Sequence, residues 1–386
     1  MVKLDPEYLD LLRDWRCDIH QNPEFGFEEQ RTSRLVAERL RAFGVAVTES
    51  IGGTGVVGAL KRGEGKRAIM LRADMDALRI QEAPTVPLAY CSVNPGLMHA
   101  CGHDGHTTML LGAAGILAQE GGFDGTIYFV FQPAEEWGQG MLAMLHDGLL
   151  ERFPADEAYG LHNSPGLPIG QFETCPGPFK SAEDGFQIKV KGKGGHSARP
   201  HLGNDALVAA AAIICSLQTI VSRVINPAET AVVSCTDLEM HGTKNVIPGE
   251  VLVSGDCRSF RPEVSASIEQ EMKRIARHVA RAHGCTAEVT YTRDFIATIN
   301  DLKLTSEAVR AVSSTFGPEA VNGAAIPGAG SEDFGQLLQR IPGCFMNIGN
   351  GNTASLHHAA YDFNDEAIPY GVGYFVALSR ARLPLL

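Results

Sequence analysis

The sequence predicts an α/β protein: a mostly parallel-sheet domain, residues 1–181 and 294–386, interrupted by an inserted α+β domain of ferredoxin-like arrangement, residues 182–293. Three observations predict it. Apolar strand-like runs alternate with helical segments at both ends of the chain, the pattern of a sheet with helices on both faces. The middle reads strand-helix-strand-strand-helix-strand, which is the ferredoxin-like order. Acids and histidines collect where the outer strands end, and open parallel sheets bind ligands beyond their carboxyl ends. The length of 386 residues exceeds one average domain, and 44% hydrophobic with 20% charged residues is ordinary for a soluble globular protein.

Taken in order, Asp5-Pro6-Glu7 starts an amphipathic helix that should end near His20, before Asn22-Pro23. A second helix is expected over about Glu28 to Phe43, with Leu35, Val36, Leu40 and Phe43 on one side and Gly44 as its stop. Strands follow at Val45–Thr48, Gly55–Leu60 and Ala68–Ala73. The last runs into Asp74-Met75-Asp76, whose carboxylates share one side of an extended chain or simply begin a turn. After a helix over Thr107–Leu117, the strand Gly125–Gln132 leads to Glu135-Glu136, Ala158–Leu161 leads to His162, and Cys344–Ile348 precedes a Gly/Asn loop with His357 and His358. The inserted domain begins with the alternating strand Phe186–Lys191 and the glycine-rich loop Gly192–Pro200. It continues with a helix over Asn204–Arg223, strands Thr230–Thr236 and Glu250–Gly255, a helix over about Glu263–His283, and the strand Thr286–Thr292.

The most chemically loaded stretch is Met98-His-Ala-Cys-Gly-His-Asp-Gly-His106. Cysteine and histidine are preferred zinc ligands, and the glycine between Cys101 and His103 lets both reach one centre. A thiolate mixed with imidazoles and carboxylates suits zinc, cobalt, nickel or manganese better than calcium or magnesium. The paired spacings of a closed structural zinc site are absent, so the pattern suggests two metals sharing ligands with positions open to water. Hydrolysis needs one group on the metal and another free to take a proton, and Glu135 and Glu136 can divide those roles, although spacing does not say which takes which. His99 and His106 are expected to pack or hydrogen-bond behind the ligands, with Asp104 orienting the loop.

The formal net charge of -12 argues against nucleic-acid or anionic-membrane partners. Nine scattered cysteines do not suit a secreted disulfide scaffold; reduced thiols and a cytoplasmic location are expected. The amino-terminal helix has no apolar core of a signal peptide, and no run is expected to approach the ~18 apolar residues of a membrane span.

Six blocks occur in order: Met98 to His106, Phe131-Gln-Pro-Ala-Glu-Glu136, Gly160-Leu-His-Asn163, Gly194-Gly-His-Ser197, Asn245-Val-Ile-Pro248 and Tyr361-Asp-Phe-Asn-Asp365. Together they resemble the dinuclear metallo-amidohydrolases and carboxypeptidases that include hippurate hydrolase, aminoacylases and indole-acetyl-amino-acid hydrolases. The resemblance implies two divalent ions held by Cys101, His103, Glu136, His162 and His357, with Cys101 bridging, Glu135 as the base and Asp76 orienting a ligand. It implies hydrolysis of N-acyl amino acids, hippurate-like or N-acetyl, by a metalloenzyme whose inserted domain serves as lid and dimerisation surface in a homodimer or higher homo-oligomer. His196 resembles the histidine that family members bring into a neighbouring subunit's active site, and Asn245 and Arg258 match lid positions near the substrate. Two positions depart from the family pattern. His357 is followed by His358-Ala359 where Asn-Pro or Ser-Pro is common, and Arg79 replaces a usual proline. The rival readings are a non-catalytic metal- or ligand-binding module of the same fold, and a hydrolase that uses Cys101 as nucleophile.

Overall fold

Asp5 caps the first helix, α1 (Pro6–Gln21), by accepting from Glu7 N at 2.9 Å, in a computed structural model that describes residues 4–385. Helix α2 (Gln30–Ala42) begins later than the sequence predicts. Glu29 is fully buried and spends its carboxylate on Thr54 and Ala134, so the chain turns before entering the helix. Three strands follow, β1 (Ala46–Ile51), β2 (Gly55–Arg62) and β3 (Ala68–Asp74), then α3 (His103–Glu120), β4 (Gly125–Gln132) and β5 (Glu157–Ser164).

These strands belong to an eight-stranded sheet of order β1, β2, β4, β3, β5, then Gly343–Gly349, Phe172–Glu173 and Val321–Asn322. Its centre is parallel: β3 pairs with β4 and β5, and β5 with Gly343–Gly349. Antiparallel pairings of β1 with β2, β2 with β4 and Phe172–Glu173 with Gly343–Gly349 flank that centre. The register sets Asp74 opposite Gln132 and His162 opposite Asn347, so the carboxyl ends of the central strands lie side by side. Helix α3 is buried from His103 to Ala118 and packs on α1, β3 and the last helix, Ile368–Arg382. Its run of Gly, Ala, Leu and Met therefore faces protein on all sides, as a helix without a polar face must.

Two units divide the chain. The first comprises residues 1–179, 298–327 and 332–386, and the second comprises 180–297 with Gly328–Ser331. The sequence places the insertion at 182–293. The short return segment joins it because Lys180 bridges Gly328 while Ser181 bonds Ala329 and Gly330, pairings of sequence-distant residues that no local pattern announces.

The second unit is an antiparallel sheet of order Ala231–Met240, Glu250–Ser259, Ala182–Lys191, Thr286–Phe295, the ferredoxin-like order. Phe186, Ile188 and Val190 are buried beside Ala209, Ile213 and Leu217 of one helix and Ile268, Met272 and Ile275 of the other. One expectation fails here. The helix Ala206–Thr219 runs on through a π-turn to Val224, and this 19-residue stretch, with a mean hydropathy of 1.8, is long and apolar enough to cross a membrane. The short side chains of its inner positions obscured this, because its outer positions carry Val208, Ala211, Cys215, Val221 and Val224 as well, all exposed.

Candidate metal centre

The centre is built where β3, β4 and β5 end. Beyond β3 the chain loops out and returns through a Leu78–Met98 bridge to deliver Cys101. Gly102, at φ +89°, turns it into α3; a Cβ there would meet Asn163 Nδ2 at 2.3 Å and the Tyr361 hydroxyl at 2.5 Å. Beyond β4, Ala134 takes a left-handed conformation at φ 47° and starts the short turn Glu135–Trp137. Its N–H donates to the buried Glu29 carboxylate at 2.8 Å, which holds the strained turn in place. Burial and the nearby Asp76 raise the Glu29 pKa to about 7.

The candidate ligating atoms converge. Cys101 Sγ with nitrogens of His103 and His162, Cys101 Sγ with Glu136 and His357, and His103 with Glu135 and Glu136 each form a group whose atoms lie within 4.8 Å of one another. Cys101 stands in two of these groups, and His103 in a further one with Asp74 and His106. Neighbouring acceptors set the tautomers. His103 Nδ1 donates to Asp76 at 3.1 Å, which leaves its buried Nε2 without a hydrogen-bond partner. His162 Nδ1 donates to the Asn163 carbonyl at 2.6 Å, and its Nε2 lies 3.4 Å from Cys101 Sγ. Imidazoles held through Nδ1, with Nε2 turned toward the thiol and the carboxylates, are arranged as metal ligands are. Glu136 Oε1 is likewise buried without a hydrogen bond, 3.8 Å from His103 Nε2, while Oε2 lies 3.4 Å from His357 Nε2. Asp76 joins the two halves, since its other oxygen accepts from Glu136 N at 3.1 Å. The neighbouring His358 is exposed, and its Nδ1 accepts from Ala360 N at 3.1 Å.

Electrostatics points the same way. Burial pulls the His103 pKa down, but Asp74, Asp76 and Glu136 outweigh it and raise it to about 10. Burial and the acids Glu136, Glu135 and Asp74 push the Cys101 thiol well above its usual range, and burial with Glu332, Glu136 and Asp333 does the same to Glu135. A pocket with so many acids and so little positive charge fits divalent cations. A nucleophilic cysteine needs the opposite, a depressed pKa in electropositive surroundings.

Sequence reasoning missed the layer beneath. Arg72, fully buried in β3, contacts Gln132 at 2.8 Å, Asp74 at 2.7 Å, Glu332 at 2.9 Å and Asp333 at 3.0 Å. Asp74 in turn accepts from His106 Nδ1 at 2.6 Å, and His106 Nε2 accepts from Asn163 N at 2.9 Å. Asn163 also donates to the Cys101 carbonyl and accepts from Tyr361. Asp104 does not touch the ligands; it lies 2.8 Å from His20 of α1, whereas His99 is buried with neither ring nitrogen bonded and its pKa lowered by burial to about 4. The available signal was an arginine inside an otherwise apolar strand, which has to be paired.

His196, Asn245 and Arg258 lie in the second unit. His196 and Asn245 are exposed on a two-stranded ribbon, where Val246 pairs with His196 and Ser197 N donates to the Asn245 carbonyl at 3.0 Å. The Arg258 guanidinium is shared between Asp256 at 2.7 Å and Glu183 at 2.6 Å and also bonds Ser331.

The model of peptidase family M20/M25/M40 matches residues 70–381, which covers β3 through the last helix. Hippurate hydrolase of Campylobacter jejuni is 37% identical over 387 residues, covering 99% of this chain and 100% of the relative. N-acetylcysteine deacetylase of Bacillus subtilis is 35% identical over 377 residues, with 97% of each covered. The solved YXEP protein of Bacillus subtilis, described as a dinuclear metal-binding peptidase, superposes with a TM-score of 0.85 at 32% identity, covering 99% of this chain and 100% of that one. Strand ends that gather one thiol, several imidazoles and paired glutamates, in a chain alike from end to end, place this protein in peptidase family M20/M25/M40.

Proposed function

We propose that this protein hydrolyses the amide bond of N-acyl amino acids, hippurate-like or N-acetyl, with two divalent ions drawn from zinc, manganese, cobalt and nickel. The observation that carries the reading is the position of Glu135 and Glu136, adjacent in one turn, with Glu136 beside Cys101 and His357 and Glu135 beside His103. Cys101, His103, Glu136, His162 and His357 would hold the ions, and the membership of Cys101 in two ligand groups supports it as the bridge. The ions, when bound, supply Lewis acidity that makes water acidic near neutral pH and polarises the amide carbonyl. Glu135, kept proton-hungry by burial and neighbouring acids, takes the water's proton and returns it to the departing amine. Asp76 holds the His103 ring and the Glu136 backbone in register.

His196 is assigned to stabilising the oxyanion, Asn245 to substrate binding, and Arg258 to the substrate carboxylate, for which it would exchange an internal one. Assembly into a homodimer is supported by the exposed apolar face of Ala206–Val224 and by the sheet-edge strand Ala231–Met240, which leaves Val232, Leu238 and Met240 exposed. Nine free cysteines support a reducing, cytoplasmic location. The test is metal analysis of the purified protein beside turnover of hippurate and N-acetyl amino acids, with and without chelator. Turnover that survives metal removal would refute the reading.

A further inference from the structure

Directly after Glu136, Trp137 is 44% exposed. The ring is held in place. Phe25 meets it edge-on at a centroid distance of 4.7 Å and Phe27 at 6.3 Å, and the Arg79 guanidinium lies over Phe25 at 3.9 Å. This aromatic group is tied to the metal-centre loops. Phe25 bridges Ala77, and Ala77 N donates to the Glu24 carbonyl at 2.8 Å. At Gly26 a Cβ would stand 3.0 Å from Ala134 Cβ and 3.7 Å from Asp76 Oδ2, so the backbone runs against the turn that aims the two glutamates. Phe27 holds φ at +64°, a conformation that non-glycine residues adopt rarely and that gathers at functional sites.

We propose that Trp137, backed by Phe25 and Phe27, is the surface on which an aromatic acyl group stacks, so that the protein prefers N-aroyl and arylacetyl amino acids to N-acetyl ones. This rests on the N-acyl amino acid reading and names its acyl side. In such substrates the ring is joined to the reacting carbonyl directly or through a single methylene. With that carbonyl at Glu135 and Glu136, Trp137 is the next residue of the same short turn, and the ring is placed on its indole. An exposed, rigid indole gains both apolar burial and ring-ring contact from an aryl group, and an acetyl methyl provides little of either. The guanidinium of Arg79 makes no ion pair among the described residues and serves as the far side of the stack.

The test compares kcat/KM for N-benzoylglycine and N-acetylglycine in the metal-loaded enzyme, its Trp137→Ala variant and its Trp137→Phe variant. The benzoyl-to-acetyl ratio should fall about tenfold or more in Trp137→Ala, the scale of one aromatic contact plus its buried area, and recover largely in Trp137→Phe. An unchanged ratio would overturn the proposal, whether or not both rates fall together. Benzoate titrated against intrinsic fluorescence is the second readout. A saturable change in the wild type that is absent from Trp137→Phe supports the shelf, and no saturable change refutes it. If neither amide is cleaved but benzoate still saturates the Trp137 signal, the hydrolase reading falls and aromatic-acid binding at Trp137 stands. If both are cleaved at a ratio indifferent to Trp137, the shelf falls and the hydrolase reading stands.

Discussion

The two arginines of the proposed machinery make an instructive pair. Arg72 is wholly buried and meets Asp74, Glu332 and Asp333, whereas Arg258 keeps about a quarter of its side chain exposed and meets Asp256 and Glu183. Each is surrounded by acid, but only Arg72 is sealed from water. Water can re-solvate whatever Arg258 releases, so its partners are exchangeable. Nothing can replace Arg72. The candidate metal centre thus stands on an ion cluster that must stay intact, and Arg258, assigned to substrate recognition, sits where partners can be traded.

That contrast can be broken in several ways. The largest effect is expected on chemistry rather than folding: Glu135→Gln should lower kcat by ~10²–10⁴ while metal content stays unchanged, read by steady-state assay and elemental analysis. Near-normal turnover would remove Glu135 from its role. Next, Arg72→Met leaves three carboxylates buried without their cation and should cost about 3–5 kcal/mol in denaturant unfolding. A cost under about 1 kcal/mol would show that the cluster rearranges or takes up protons easily.

The pH dependence gives an intermediate test. Burial opposes the charge on His20, but bonds to Asp104 and Glu82 raise its pKa to about 9. A raised folded-state value means that the stabilisation is complete below the unfolded value near 6.5 and is lost as pH climbs through about 9. Melting temperature should therefore decline between those limits, and His20→Gln should flatten the curve. A wild-type curve with no such decline would place the charge elsewhere. The smallest effect is expected at Arg258→Met, with about 0–1 kcal/mol of stability lost because its ion pairs are partly solvated. A loss matching that of Arg72→Met would erase the difference between the two arginines.

Much of the candidate metal centre was readable in the chain because strand direction carries it. A parallel apolar strand that ends in acid or histidine delivers that side chain to the common edge, so Asp76, Glu135, Glu136 and His162 could be grouped before any coordinates. Cys101 and His103 were readable from their spacing around a glycine. Glu29, Glu332 and Asp333 were not, because their contacts cross long stretches of sequence and their local settings look like ordinary turns. The apolar outer face of Ala206–Val224 was not legible either, since in an alanine-rich stretch the packed and outer sides show little contrast.

The sequence by itself determined the fold class, the strand-helix order of the second unit and the identity of the converging acids, imidazoles and thiol. These follow from periodicity, breakers and side-chain chemistry, all of which act locally. Only the tertiary structure decided which nitrogen of His103 and His162 is anchored by Asp76 and by the Asn163 carbonyl, that His357 lies beside Glu136, and that Arg72 anchors three acids. Those outcomes depend on which distant group removes water from which atom, and only the packed chain settles that.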